Sequence, residues 1–154
     1  MEGEVVVVEE IPTGAVDYTT PITIAVSEPL LDESATFSYF TFLISGTDAH
    51  GTFNIRRRYK DFDHLRRKLS QRWAGIYVPP ISGKRSDKNP LHLFRLVEGS
   101  KANKKTSEQR YAQTRRRFLN YFCEGVALRP YLFYCDLFQT FLRGGTDYET
   151  VIMG

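Results

Sequence analysis

The chain has 154 residues, 42% of them apolar and 25% charged, which leaves room for one globular domain with a sizeable core. The longest aliphatic run, Val5–Val8, is far too short to span a bilayer and follows no basic leader, so a soluble chain whose membrane contact is peripheral is expected. The net charge of +3 conceals a partition, because residues 1–50 carry nine acids and no Lys or Arg while residues 51–154 hold all 21 basic residues; the basic part suits an anionic partner, either nucleic acid or an anionic lipid surface.

Residues 1–20 are acidic, contain Gly and Pro and show no sustained period, so they are expected to form a flexible arm in which Val5–Val8 could add an edge strand. Three strands follow. Ile22–Glu28 alternates, with Ile22, Ile24 and Val26 on one face. After a loop at Pro29–Ser34, Phe37–Ser45 is rich in residues that favour strands. The cluster 46–51 is turn-like, and Thr52–Tyr59 forms the third strand with Phe53 and Ile55 on one face. The period then changes. Asp61 can cap a helix start, and Phe62, Leu65, Leu69 and Trp73 recur at spacings of three and four up to a stop at Gly75. Residues 78–84, Val-Pro-Pro-Ile-Ser-Gly-Lys, exclude regular helix and central strand and should be extended. A basic stretch, 85–105, encloses the apolar residues Leu91, Leu93, Phe94, Leu96 and Val97. Two further helices are expected over Ser107–Ala127 and Leu132–Leu142, closed by Gly144-Gly145. Segregated strands and helices make an α+β domain, a three-stranded antiparallel sheet packed against a helical subdomain.

Two basic runs carry the chemistry. In Ile55-Arg56-Arg57-Arg58-Tyr59-Lys60-Asp61-Phe62, arginines end a strand and an aromatic stands where it meets a helix. A guanidinium matches phosphate oxygens in two-pronged fashion, and a Tyr face can lie against a sugar-like ring. Strand parity alone leaves Arg57 and Arg58 both open as the gripping residue. In the second helix, Tyr111, Phe118, Leu119, Phe122 and Val126 share one arc at about 100° per residue. Arg115 falls inside that arc, Arg116 at its edge and Arg117 outside. An inward arginine is costly unless it meets an anion, and few acids are near in sequence, which favours an external ligand.

The sequence Arg57-Arg58-Tyr59-Lys60-Asp61-Phe62 resembles the R-R-Y/F-x-D-F signature of PX (phox-homology) domains, including those of sorting nexins. Residues 78–84 resemble the family's proline-rich loop ending in a basic residue, and Arg115 and Pro130 match the spacing of the family's later arginine and proline. The resemblance covers residues from about 20 to 143. It implies a PX fold over 21–143, with an arm at 1–20 and a tail or linker start at 144–154. It also implies a phosphoinositide-binding module on the cytosolic face of endosomal membranes. The lipid would be phosphatidylinositol 3-phosphate: Arg58 on the 3-phosphate, Tyr59 along the inositol ring, Lys84 on the 1-phosphate and Arg115 on the 4- and 5-hydroxyls. Ser82 departs from the family loop, standing where a second proline is usual. Leu91, Leu93 and Phe94 either insert into interfacial lipid or pack a short helix on the core.

Two other readings remain. A PX-fold docking module that binds lipid poorly, with trafficking-complex proteins as partners, is compatible with Ser82. A nucleic-acid binder is compatible with the basic half, yet no helix-turn-helix, zinc-finger or RNP-like motif appears, so no nucleic-acid partner is expected. No hydrolase elbow, metalloprotease helix, P-loop or dinucleotide fingerprint appears either, so the chain is read as non-enzymatic, without cofactor and monomeric as a domain. Cys123 and Cys135 read as reduced core residues, and His50, His64 and His92 are too scattered to hold a metal.

Overall fold

The structure, a computed structural model, describes residues 16–33, 38–83 and 101–144 together with Tyr148 and Ile152; at 101–105 only the helical backbone is described. Three strands form one antiparallel sheet in the order β1 (Thr23–Asp32), β2 (Tyr39–Asp48), β3 (Gly51–Arg58). Among the described residues four helices follow: α1 (Tyr59–Arg72), α2 (Lys101–Ala127), α3 (Pro130–Phe133) and α4 (Asp136–Arg143). Val5–Val8 and the rest of the arm up to residue 15 lie outside the described residues.

Several boundaries differ from the sequence expectation, each for a physical reason. β1 does not stop before Pro29. The register slips between Ser27 and Leu30, and the strand resumes to Asp32. Glu28 takes a positive φ of 47° at this bulge, and Arg56 Nη1 donates to its carbonyl at 2.9 Å. A bulge lets the strand absorb a proline that a regular ladder would reject. The β2–β3 turn narrows to Ala49-His50, with Asp48 opposite Gly51. Helix α1 begins two residues before Asp61, whose carboxylate accepts the backbone N–H of Arg58 at 2.9 Å from the third helical position. The last expected helix is two, α3 and α4, separated by Tyr134 and Cys135.

The core lies between one sheet face and the helices. Val26, Phe42, Ile44 and Phe53 from the sheet meet Phe62, Leu65 and Leu69 of α1, and Leu119, Phe122 and Val126 of α2. Phe62 is the hub, edge-on to Phe141 at 4.9 Å and to Phe122 at 6.4 Å between ring centroids. Such edge-to-face pairs add roughly 0.5–1.5 kcal/mol each beyond area burial. Phe118 departs from the expected buried arc: it is 47% exposed and stacks edge-on with Tyr121. The buried line of α2 runs instead through Ala112, Arg115, Leu119, Phe122 and Val126, displaced one residue from Phe118.

Helix α2 also closes the free edge of the sheet. Asn120 Oδ1 accepts the N–H of Val26 at 2.8 Å, and Arg116 Nη1 donates to its carbonyl at 3.1 Å. Edge backbone left unpaired invites pairing with another chain. The proline segment is fixed on its far side, where Arg66 Nε donates to the Pro79 carbonyl at 2.9 Å. A side chain at Gly125 would meet Pro79 Cγ at 2.9 Å, so only glycine lets α2 approach this closely.

Candidate functional site

The site begins where β3 becomes α1. Side chains alternate along a strand. Arg57 therefore falls in phase with Phe53 and Ile55, which face the core, and Arg58 does not. Arg57 Nε donates to the Phe141 carbonyl at 3.1 Å, and its guanidinium lies 3.8 Å from the Tyr148 ring centroid. Arg58 instead fronts a cleft of about 370 Å³, with its guanidinium 4.9 Å from the Tyr39 ring centroid. No carboxylate pairs with Arg58 among the described residues.

Arg115 forms the opposite wall. It is only 9% exposed, and the same cleft is lined by Arg58, Tyr59 and Arg115. Its guanidinium lies 3.8 Å from the Tyr59 ring centroid and 4.9 Å from that of Tyr111. Nη2 donates to the Gly83 carbonyl at 2.8 Å. Stacking on two aromatic faces holds a cation that has little water around it. Tyr59, first residue of α1, donates its hydroxyl to the Ser82 carbonyl at 2.6 Å. Burial pushes the Tyr59 phenol above its ordinary value, and the neighbouring Arg115 charge opposes that only in part, so it stays a protonated donor at neutral pH.

Three residues expected from sequence, Arg58, Tyr59 and Arg115, are thus brought together from a strand end, a helix start and a distant helix. Lys84 lies outside the described residues; it directly follows Gly83, whose carbonyl reaches Arg115. Leu91, Leu93 and Phe94 also lie outside them. Arg116 is taken up by Val26 and by Gln113, and Arg117 is exposed.

Among the lining residues that the sequence reading did not assign to the site are Glu33, Tyr39, Glu108 and Tyr111. Glu108, Tyr111 and Arg115 stand at i, i+3 and i+7, one face of a helix, so the spacing around Arg115 held that signal. Nothing local marks Glu33 and Tyr39, which the β1–β2 connection delivers to the cleft. Among the described residues no group of His, Cys, Asp and Glu could hold a metal ion, and no helix is long and apolar enough to cross a membrane.

Comparison with known proteins identifies the family and the fold. The PX domain family model matches residues 45–144. Sorting nexin-30 of Xenopus tropicalis is 27% identical over 129 residues, 80% of this chain and 26% of that protein. Sorting nexin 1 of Arabidopsis thaliana is 30% identical over 97 residues, 63% of this chain and 20% of that protein. The chain therefore spans about a quarter of the length of the curated relatives it matches. The X-ray structure of a designed CISK-PX domain superposes with a TM-score of 0.56 at 19% identity, covering 79% of this chain and 99% of that one, which shows the same fold.

Proposed function

This chain belongs to the PX-domain family, and from that premise we propose that it is a membrane-targeting module that captures a phosphoinositide headgroup in the Arg58–Tyr59–Arg115 cleft. The lipid proposed is phosphatidylinositol 3-phosphate on the cytosolic face of endosomal membranes, in the service of protein sorting. The observation that carries the reading is the convergence of Arg58 and Arg115 on one cleft of about 370 Å³ floored by tyrosine rings.

Arg58, with no carboxylate paired to it among the described residues, takes the 3-phosphate through charge-assisted hydrogen bonds. Tyr59 lies along the inositol ring. Arg115, whose Nη2 donates to the Gly83 carbonyl, meets the 4- and 5-hydroxyls. Lys84 meets the 1-phosphate near the bilayer, while Leu91, Leu93 and Phe94 enter the interfacial lipid. The role is capture, not catalysis. Headgroup contacts supply selectivity, the basic part of the chain supplies long-range attraction, and apolar insertion lengthens residence.

The test is sedimentation with neutral vesicles carrying phosphatidylinositol 3-phosphate, against vesicles carrying unphosphorylated phosphatidylinositol. Recruitment to the first alone is expected. Recruitment to neither moves the assignment to the other reading, a PX-fold module that docks proteins and for which Ser82 in the loop is the supporting feature.

A further inference from the structure

The cleft is not uniformly basic. Glu33, at the end of β1, and Glu108, on α2, line it together with Arg58 and Arg115. Glu108 stands seven residues before Arg115 on one helix face, roughly 10 Å along the axis. Tyr111 separates them. Glu33 follows Asp32, which pairs with Tyr39, so it sits on the Tyr39 side of the mouth. The helical wall thus runs from a cation at one end to an anion at the other, and a second anion, Glu33, lines the same cleft.

Arg115 does not by itself explain a preference for a ring with free hydroxyls. A guanidinium welcomes an added phosphate more strongly than a hydroxyl. A negative group discriminates against a second phosphate, and two acids, Glu33 and Glu108, line the cleft. A single phosphate can stay at the arginine end while ring hydroxyls donate to a carboxylate. A second phosphate, placed along the helical wall away from Arg115, comes closer to Glu108.

We infer that Glu33 and Glu108 set the number of phosphates the cleft accepts, admitting a monophosphorylated inositol ring and repelling bisphosphorylated ones. This rests on the phosphoinositide reading above. The like-charge contact acts as an element built against the wrong ligand.

The test compares wild type with Glu33→Gln, Glu108→Gln and the double variant. Each is measured on vesicles holding phosphatidylinositol 3-phosphate or a phosphatidylinositol bisphosphate at equal total charge, and on the soluble inositol phosphates. Glu124→Gln removes an acid of the same helix that bonds Asn120 outside the cleft, and controls for net charge. The double variant should gain about twofold for the monophosphate and ~10-fold for the bisphosphates, in vesicles and in solution alike. Glu124→Gln should leave the ratio where it is. An unchanged ratio in the double variant, or an equal change in Glu124→Gln, overturns the inference while wild-type recruitment leaves the lipid reading standing. A selectivity change on vesicles that is missing for soluble headgroups also overturns it, because the source is then the bilayer surface. Absence of wild-type recruitment to every phosphoinositide vesicle overturns the lipid reading and this inference with it.

Discussion

The Arg115 guanidinium lies 3.8 Å from the centroid of the Tyr59 ring, joining the middle of α2 to the first residue of α1. Each is also hydrogen-bonded to the backbone of the proline segment, Tyr59 to Ser82 and Arg115 to Gly83. One contact therefore sets both the cleft wall and the loop beside it.

Because the two arginines differ in burial, their loss should read differently. Arg58→Ala is expected to weaken binding to phosphatidylinositol 3-phosphate vesicles 10- to 100-fold, from ~1.5–3 kcal/mol of charge-assisted bonding, with the melting temperature preserved. Arg115→Ala should lose as much binding and also melt several degrees lower, because it leaves two stacked rings and the Gly83 carbonyl without their partner. Vesicle sedimentation beside thermal denaturation reads both. Wild-type binding by both variants would refute the pocket.

Arg57→Ala should behave in the opposite sense. It removes the bond to Phe141 and the stack on Tyr148, costing about 1–2 kcal/mol, or roughly 2–8 °C in a domain of this size. Vesicle binding per folded molecule should persist. Loss of recruitment at unchanged stability would exchange the roles of Arg57 and Arg58.

Gly46→Ala tests the sheet. A Cβ there would fall 1.8 Å from the Thr23 carbonyl oxygen and 2.9 Å from Phe53 Cζ, and backbone cannot step aside cheaply. A loss of ~3 kcal/mol or more is expected in denaturant unfolding. Gly83→Ala, with nothing among the described residues within 4 Å of its added carbon, should stay within about 0.5 kcal/mol of wild type.

Acid sensitivity should be traceable to Asp136. Hydrogen bonds from Arg72, at 2.6 and 3.3 Å, hold its carboxyl below the ordinary value and raise that of Arg72 in return. A depressed carboxylate contributes its stability above its unfolded-state pKa and loses it as pH falls through the folded one. Both partners are about half exposed, so the pair is worth no more than ~1 kcal/mol. Asp136→Asn should lower the melting temperature slightly at pH 7, and the difference should vanish below the carboxylate range. A difference that persists at pH 2 would assign the effect to the helix start instead.

Phe94→Asp separates insertion from packing. Slower or absent attachment to vesicles with unaltered binding of the soluble headgroup is expected. Equal loss of both would make Phe94 a structural residue.

The strand-then-helix order, the α1 stripe at Phe62, Leu65 and Leu69, and the inward position of Arg115 were legible in the chain, because side-chain period is a local property that burial selects. The arginine-tyrosine run pointed to the cleft that Arg58 and Tyr59 line for the same reason: strand end, cation and aromatic are sequence neighbours. Tertiary structure alone decided the rest. Only the core-facing phase of β3 sends Arg57 to Phe141 and Arg58 to the cleft. Only packing shows that α2 buries Leu119 and exposes Phe118. And only the fold delivers Glu33, 82 residues before Arg115 in the chain, to the same cleft, since charge selection in a cleft depends on distance through space, which the order of residues does not contain.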